Sequence, residues 1–335
     1  MIKYSIVVPV FNRPDEVREL LDSLTNQSFK NFEIILVDGS PTNILADLIK
    51  EFQPKLPLKY FYERLLAISP SRNLGCKNAE GEYLIFVDSD CVLPPQYLLE
   101  IDNYLKQNKT DGFGGPDKAG EAFSPVQKAM SFAMTSFLTT GGIRGKKSHL
   151  GEYQLRGFNM GIRKDVFREV GGYSGMDVAE DIDLSIRIRK AGYKTNLITN
   201  AYVYHKRRAT LYKFFRQSFV HGKSRIELYI KHRDTNALKI VHLLPTAFTL
   251  YLLLCIIFPF FNSGVLLLIE IPLLIYVLSL LFVATIENKS IKIGLLSLVA
   301  SFLQLTAYGT GLIVNFVNRI ILGSRAETRK PDSLK

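Results

Sequence analysis

Apolar residues in the N-terminal part of this chain fall into short unbroken runs, and the segments between them carry helical spacing. Tyr4 to Val10 is a largely apolar, β-branched run. Asn12-Arg13-Pro14-Asp15 follows it, and then Val17, Leu20, Leu21 and Leu24 recur with the period of a helix. The pattern predicts strand, loop, helix. Phe32 to Val37 repeats the strand signal and ends at Asp38-Gly39-Ser40, with a second helix expected over 44–52. A third strand is expected over 58–62, a helix over 69–79 and a fourth strand over 83–87. Strands that are apolar throughout and alternate with helices imply a mostly parallel α/β sheet covered on both faces. Ligands of such a sheet sit beyond the carboxyl ends of its strands, and Asn12, Asp38 and the pair Asp88/Asp90 fall at three of those ends. No Gly-x-Gly-x-x-Gly follows the first strand and no Gly-x-x-x-x-Gly-Lys-Ser/Thr loop is present, so neither a dinucleotide fold nor a P-loop is supported.

The pattern changes in the C-terminal third. Leu243 to Phe261, Gly264 to Ile286 and Ile293 to Asn318 are long apolar runs, with Glu270 the single acid among them. Each is long enough to cross a hydrocarbon layer of roughly 30 Å as a helix. The first two are expected to span a membrane. The third carries Gly309, Gly311 and Asn315 in its second half and is expected either to span or to break and lie partly in the interface. A carboxyl at Glu270 in mid-membrane would face other helices, stay protonated or mark function.

Charge places these segments. Between Ala201 and Lys239 ten Lys/Arg stand against Glu227 and Asp234, which accounts for most of the net charge of +11. A basic collar beside membrane helices fits the cytoplasmic leaflet, so the N-terminal domain is expected in the cytosol at the inner membrane of a multi-pass protein. The charge is gathered next to the apolar runs and not on a recognition helix, which argues against nucleic acid as partner. Leu211 to Ile230 mixes Phe214, Phe215, Phe219, Ile226 and Tyr229 with Lys213, Arg216, Lys223 and Arg225, as a helix in the membrane interface or a packed joining helix would. Cys76, Cys91 and Cys255 offer no disulfide framework, in keeping with a reducing compartment. The chain opens directly on a strand pattern, so no cleavable signal peptide is expected. The expected division is a catalytic domain over 1–208, a basic amphipathic region over 209–238, two or three membrane helices over 239–322 and a basic tail over 323–335.

Candidate chemistry centres on Asp88-Ser89-Asp90, at the end of the run Tyr83 to Val87. Two carboxylates at i and i+2 on a strand's carboxyl edge suit a hard cation such as Mg²⁺ or Mn²⁺, and such a cation usually holds a diphosphate. A solvated acidic turn is the alternative for the pair taken alone.

In order and spacing, several stretches resemble the family 2 glycosyltransferases, inverting nucleotide-sugar enzymes with an A-type α/β domain. They are Ile6-Val7-Val8-Pro9-Val10-Phe11-Asn12, Leu36-Val37-Asp38-Gly39-Ser40, Ser71-Arg72-Asn73-Leu74-Gly75, Phe86-Val87-Asp88-Ser89-Asp90, Gly157-Phe158-Asn159-Met160-Gly161, Gly171-Gly172-Tyr173 and Glu180-Asp181-Ile182-Asp183-Leu184. The resemblance covers about residues 4 to 205. It implies that Pro9, Phe11 and Asn12 line a nucleotide pocket, that Asp38 bonds the base or ribose, and that Arg72, Asn73, Asp88 and Ser89 lie near the nucleotide and its diphosphate. Asp88 and Asp90 would hold the metal, with His205 as a further metal or phosphate contact or a structural histidine. Asp181 would be the catalytic base, with Glu180 and Asp183 in support; an acidic helix start is the plain reading of the same residues. Glu180 and Asn159 would lie near the donor sugar and acceptor, with a structural cap as the other reading of Asn159. A helix is expected to begin near Ser185 and to fix the loop before it.

The resemblance thins beyond that point. Polymer-forming relatives carry a Gln-x-x-Arg-Trp motif, and this chain has no tryptophan. The expectation is therefore a membrane-bound, metal-dependent transferase that moves one sugar, or a few, from a nucleotide diphosphate sugar to a lipid-linked or glycan acceptor. Sugar-phosphate nucleotidyl transfer and a catalytically silent nucleotide-sugar-binding scaffold are the alternatives.

Overall fold

The computed structural model describes residues 2–118, 123–141, 154–176, 178–206, 210–235, 237–257 and 266–324, with the backbone alone described over 266–269. The first part alternates β1 (Tyr4–Val10), α1 (Pro14–Thr25), β2 (Phe32–Asp38), α2 (Ala46–Phe52), β3 (Leu58–Tyr62), α3 (Ile68–Lys77) and β4 (Tyr83–Val87). Then come β5 (Cys91–Val92), α4 (Tyr97–Gln107), β6 (Gly112–Gly114), β7 (Asp117–Lys118), α5 (Pro125–Thr135) and α6 (Phe137–Thr140). The domain closes with β8 (Asn159–Arg163), α7 (Lys164–Glu169), α8 (Glu180–Lys190), β9 (Thr195–Leu197) and β10 (Val203–His205). Four longer helices complete the chain: α9 (Leu211–Lys231), α10 (Ile240–Ile257), α11 (Leu266–Asn288) and α12 (Ile291–Phe316), the last running into a π-helical turn over Val317–Ile321.

The main sheet has the order β3-β2-β1-β4-β8-β6-β9. β3, β2, β1 and β4 run parallel, which aligns their carboxyl ends: Val10 pairs with Asp38, and Asp38 with Tyr62. β8 is antiparallel to both β4 and β6 and breaks the parallel run. Both faces are covered. Tyr4, Ile6 and Val8 of β1 pack with Leu20, Leu21, Phe52 and Ile101 of α1, α2 and α4, while Val7 of the same strand packs with Phe167, Leu184 and Ile188 of α7 and α8 on the other face. This alternation follows from the two-residue period of a strand, and burial on both sides is why the sequence reads as an unbroken apolar run. α1 begins at Pro14 with Asp15 and Glu16 in its first turn, a proline and two acids where the unpaired N–H groups favour them. A second sheet, β5-β10-β7, is made of strands two or three residues long, and it sets His205 opposite Cys91.

Among the described residues, three helices are long and apolar enough to cross a membrane, over Ile240–Ile257, Glu270–Asn288 and Ile291–Ile321. α12 is continuous where a break was one expectation. Its glycines serve close packing instead. A Cβ at Gly222 of α9 would lie 2.1 Å from the Tyr308 carbonyl oxygen, and one at Gly311 would lie 2.1 Å from that of Phe219, so the two backbones touch only because both positions lack a side chain. Asn315 donates to the Lys223 carbonyl at 2.8 Å, and Arg319 pairs with Glu227 at 2.9 Å. The basic helix α9 is thus packed closely against α12, as a joining helix is. Glu270 lies near the start of α11 and is exposed.

Candidate active site

The chain turns sharply after β4, with the Cys91 N–H donating to the Asp88 carbonyl at 3.1 Å. That turn presents Asp88 and Asp90 at the carboxyl edge. β10 lies antiparallel to β5, and the Lys206 N–H donates to the Asp90 carbonyl at 3.1 Å, so His205 is carried to the same spot. Its Nε2 is 3.2 Å from Asp90 Oδ1, and its ring stacks on Phe158 with centroids 5.0 Å apart. Arg13, in the loop after β1, pairs with the other oxygen of Asp90. Burial by itself would raise the Asp90 carboxyl, but His205 and then Arg13 hold it well below the usual carboxylate range. Asp117 of β7 reaches within 4.0 Å of His205 Nδ1.

Arg72 of α3 joins this edge to a second group of acids. Its side chain is 3% exposed; Nη2 donates to Asp88 Oδ1 at 2.9 Å and Nη1 to Glu180 Oε1 at 2.6 Å. The guanidinium lies over the Tyr173 ring, 5.2 Å from its centroid. Glu180 opens α8 and Asp181 follows it. Asp181 Oδ2 accepts from the Gly157 N–H at 3.0 Å and Oδ1 from the Ile182 N–H at 2.8 Å, which fixes the carboxylate's orientation. Burial, with the adjacent Asp181 charge, pushes the Glu180 carboxyl up to about 7, Arg72 offsetting part of the rise. Gly157 is pressed against this cluster: a Cβ there would lie 2.7 Å from Arg72 Nη2. α8 thus starts at Glu180 and not near Ser185, and Asp181 stands in a helix's first turn rather than in a loop.

Asp38, fully buried, accepts from the Ser40 N–H at 2.9 Å, from the Ser40 hydroxyl and from the Tyr60 hydroxyl at 2.9 Å. The Asn12 N–H donates to Ser40 Oγ at 2.8 Å, and Asn12 holds a left-handed φ of 55°. Pro9 and Ser89 are buried on the same edge and Phe11 is half-buried. Asn73 and Asn159 differ from the others. Asn73 exchanges two bonds of 2.9 Å with the Tyr173 backbone and so steadies the ring beneath Arg72. Asn159, fully buried, accepts from the Tyr97 hydroxyl at 2.7 Å and donates to the Ala201 and Pro116 carbonyls at 2.8 and 3.3 Å. Both amides bond backbone groups, and Asn159 does so from the first position of β8 and not as a helix cap. Asp183 likewise turns away from the edge and binds Arg187, Lys231 and His232.

The donors beside Asp90 suit a divalent ion. Asp90 Oδ1 and His205 Nδ1 are buried and make no hydrogen bond, and two carboxylates with one imidazole form the oxygen-rich set that Mg²⁺ or Mn²⁺ takes. Asp90, Cys91 and His205 bring ligand atoms within 4.8 Å of one another, but burial holds the Cys91 thiol protonated and it donates to the Phe158 carbonyl at 3.7 Å. Arg13, Tyr173, Asp117 and the Gly157 N–H are the members of this site that sequence reasoning missed. Arg13 carried a signal directly after Asn12 at a strand's end, and Gly157 and Tyr173 stood within stretches that resemble the family.

The profile of the family described as Glycosyl transferase family 2 matches residues 5–171. Succinoglycan biosynthesis protein ExoA of Rhizobium meliloti (strain 1021) is 27% identical over 248 residues, which cover 72% of this chain and 74% of that protein. A poly(ribitol-phosphate) beta-glucosyltransferase of Bacillus spizizenii is 37% identical over 115 residues, only 18% of its own length and 33% of this chain. Among solved structures, the mannosyltransferase PcManGT from Pyrobaculum calidifontis, in complex with GDP-Man and Mn²⁺, superposes with a TM-score of 0.60 over 89% of this chain and 86% of its own, at 16% identity, a likeness of fold. With a matching profile, a mostly parallel sheet and acids gathered at its carboxyl edge, the chain belongs to glycosyltransferase family 2 and carries that family's A-type fold, followed by three helices able to cross a membrane.

Proposed function

We propose that this chain transfers a sugar from a nucleotide diphosphate sugar to a hydroxyl of a lipid-linked or glycan acceptor, by single displacement with inversion, at the cytosolic face of the inner membrane in cell-surface polysaccharide synthesis. The observation that carries the reading is the guanidinium of Arg72, which bonds Asp88 at 2.9 Å and Glu180, the neighbour of Asp181, at 2.6 Å. It supports a donor side and an acceptor side meeting across one crevice. Pro9, Phe11, Asn12 and the Asp38-Ser40 corner form the nucleotide end. Arg72 draws the diphosphate toward Asp88, a task suited to a fixed fork of donors. Asp88, Asp90 and His205 would hold Mg²⁺ or Mn²⁺, which when bound supplies Lewis-acid assistance to the departing diphosphate. Asp181, oriented by the Gly157 and Ile182 N–H groups, takes the acceptor hydroxyl's proton as the oxygen attacks the anomeric carbon. One displacement inverts that carbon and forms no covalent glycosyl intermediate. The chain's lack of tryptophan, and so of the Gln-x-x-Arg-Trp motif, favours transfer of one sugar or a few.

Membranes carrying the full chain, incubated with a panel of radiolabelled nucleotide sugars and Mg²⁺ or Mn²⁺, are expected to pass label into the extracted lipid or glycan fraction, and Asp88→Ala or excess EDTA is expected to stop it. Label unchanged by both treatments would overturn the metal-assisted reading. Release of pyrophosphate would point to nucleotidyl transfer, and bound nucleotide sugar without turnover to a silent scaffold.

A further inference from the structure

A cavity of about 480 Å³ lies where the catalytic domain meets the apolar helices, among α6, α8, α9, α10, α11 and α12. Its wall is of two kinds. Leu138, Leu244, Phe248 and Tyr276 form an apolar side that draws on α10 and α11, two of the candidate spans. Arg156, Arg225 and Gln304 contribute to a polar side, and no carboxylate stands among the described lining residues. Arg225 is 8% exposed. Its Nε donates to the Tyr308 hydroxyl at 3.0 Å, while its Nη1 is buried and makes no hydrogen bond. A cation withdrawn from water without a countercharge is costly, so the arrangement calls for an anion in the cavity.

The position of the cavity says which anion. Arg156 and Ile182, both lining it, directly adjoin in sequence Gly157 and Asp181, the pair joined by the 3.0 Å bond that orients the proposed base. An occupant would therefore carry negative charge near Arg225 and Arg156, apolar chain against Leu244, Phe248 and Tyr276, and a polar group directed toward Asp181. A soluble sugar or free phosphate would leave the apolar wall unfilled. Resting on the proposed transfer to a lipid-linked acceptor, we propose that this cavity seats the phosphate and the first hydrocarbon units of that acceptor. Arg225 and Arg156 bind the phosphate oxygens, and the head-group hydroxyl extends to Asp181.

The test measures binding apart from catalysis, with radiolabelled farnesyl phosphate as probe and the full chain in detergent. Saturable binding is expected, with farnesol and inorganic phosphate each binding far more weakly. Arg225→Gln and Arg156→Gln are each expected to weaken binding about ten- to a hundredfold, the loss of one charged hydrogen bond, and Arg225→Lys to recover part of it. Asp181→Asn is expected to bind the probe as the wild type does. Farnesyl phosphate binding no tighter than farnesol, or arginine variants that bind like the wild type, would overturn the assignment; so would inorganic phosphate competing as well as the lipid. If an arginine variant fails to fold, a farnesyl phosphate with a photoreactive tail decides with the wild-type chain. Adducts on the segments holding Leu244, Phe248 or Tyr276 support the cavity, and adducts confined elsewhere refute it. Lipid bound in the cavity by a chain that transfers no sugar would support this inference and count against the transferase mechanism alone.

Discussion

Arg72 offers the sharpest perturbation of the site. Its two terminal nitrogens hold carboxylates from separate segments, Asp88 after β4 and Glu180 at the start of α8, and its side chain is 3% exposed. Arg72→Met removes both charged hydrogen bonds, each worth about 1.5–3 kcal/mol, and breaking a buried pair costs about 3–5 kcal/mol in total. The lower end applies here. Glu180 already sits at about 7 with Arg72 present, so without the guanidinium its carboxyl rises further and is protonated near neutral pH instead of remaining a bare buried charge. A loss of about 3 kcal/mol corresponds to a fall in melting temperature of roughly 6–12 °C for a domain of about 200 residues. Arg72→Lys, whose single ammonium cannot span both acids, is expected to lose about half as much stability and most of the transfer activity. Melting of the full chain in detergent, read for Arg72→Met, Glu180→Gln and the double variant, isolates the pair: the double variant should be less destabilised than the sum of the singles by about 2 kcal/mol. Additivity to within about 0.5 kcal/mol would refute the Arg72–Glu180 coupling on which the site's convergence rests.

Further outcomes follow from the same geometry. Glu180 ionises at about 7 in the folded chain, above its ordinary 4.5, so folding binds a proton there; its stabilising contribution is complete below about 4.5 and is lost as pH rises to about 7. Across that window the wild type should lose about 3 kcal/mol relative to Glu180→Gln, and parallel pH profiles for the two would contradict the shift. Gly222→Ala places a methyl 2.1 Å from the Tyr308 carbonyl oxygen, so α9 and α12 must separate at a cost of about 1–3 kcal/mol, visible as a lowered melting temperature; an unchanged one would refute the close contact. His205→Ala removes a donor beside Asp90 and is expected to raise the Mn²⁺ concentration for half-maximal transfer by at least about tenfold, whereas an unchanged requirement would assign His205 a structural role.

The catalytic edge was legible because a parallel sheet turns strand ends into ligand positions. Apart from Ser5 and Glu33, β1, β2 and β4 are apolar on both faces, and the polar residues at or just beyond their carboxyl ends, Asn12, Asp38 and Asp88, had to emerge at one edge. The short strands β5 and β7 were not legible, since two residues carry no periodicity, yet with β10 they place Asp117 and His205 beside Asp90. The start of α8 was legible only through its acids, in the reading of Glu180, Asp181 and Asp183 as an acidic helix start. Ala179, in a left-handed conformation, precedes Glu180 without a side-chain cap, so the usual polar signal of a helix start is missing. Asn73 and Asn159 show another limit: a polar residue near a strand end can face the crevice or support the backbone behind it, and only side-chain partners decide. In α9 the mixture of aromatic and basic residues points to the membrane surface, and the close approach to α12 at Gly222 shows only in the packing.

Asp181 is where the proposed chemistry converges, and Asp181→Asn preserves shape while removing the proton acceptor. Single-turnover transfer and nucleotide-sugar affinity should be measured on the same preparation of the full chain. Transfer is expected to fall by about 10²–10⁴-fold, the contribution of a positioned general base, with donor affinity within about threefold of the wild type. Transfer within tenfold of the wild type, at unchanged donor affinity, would contradict a base at this position.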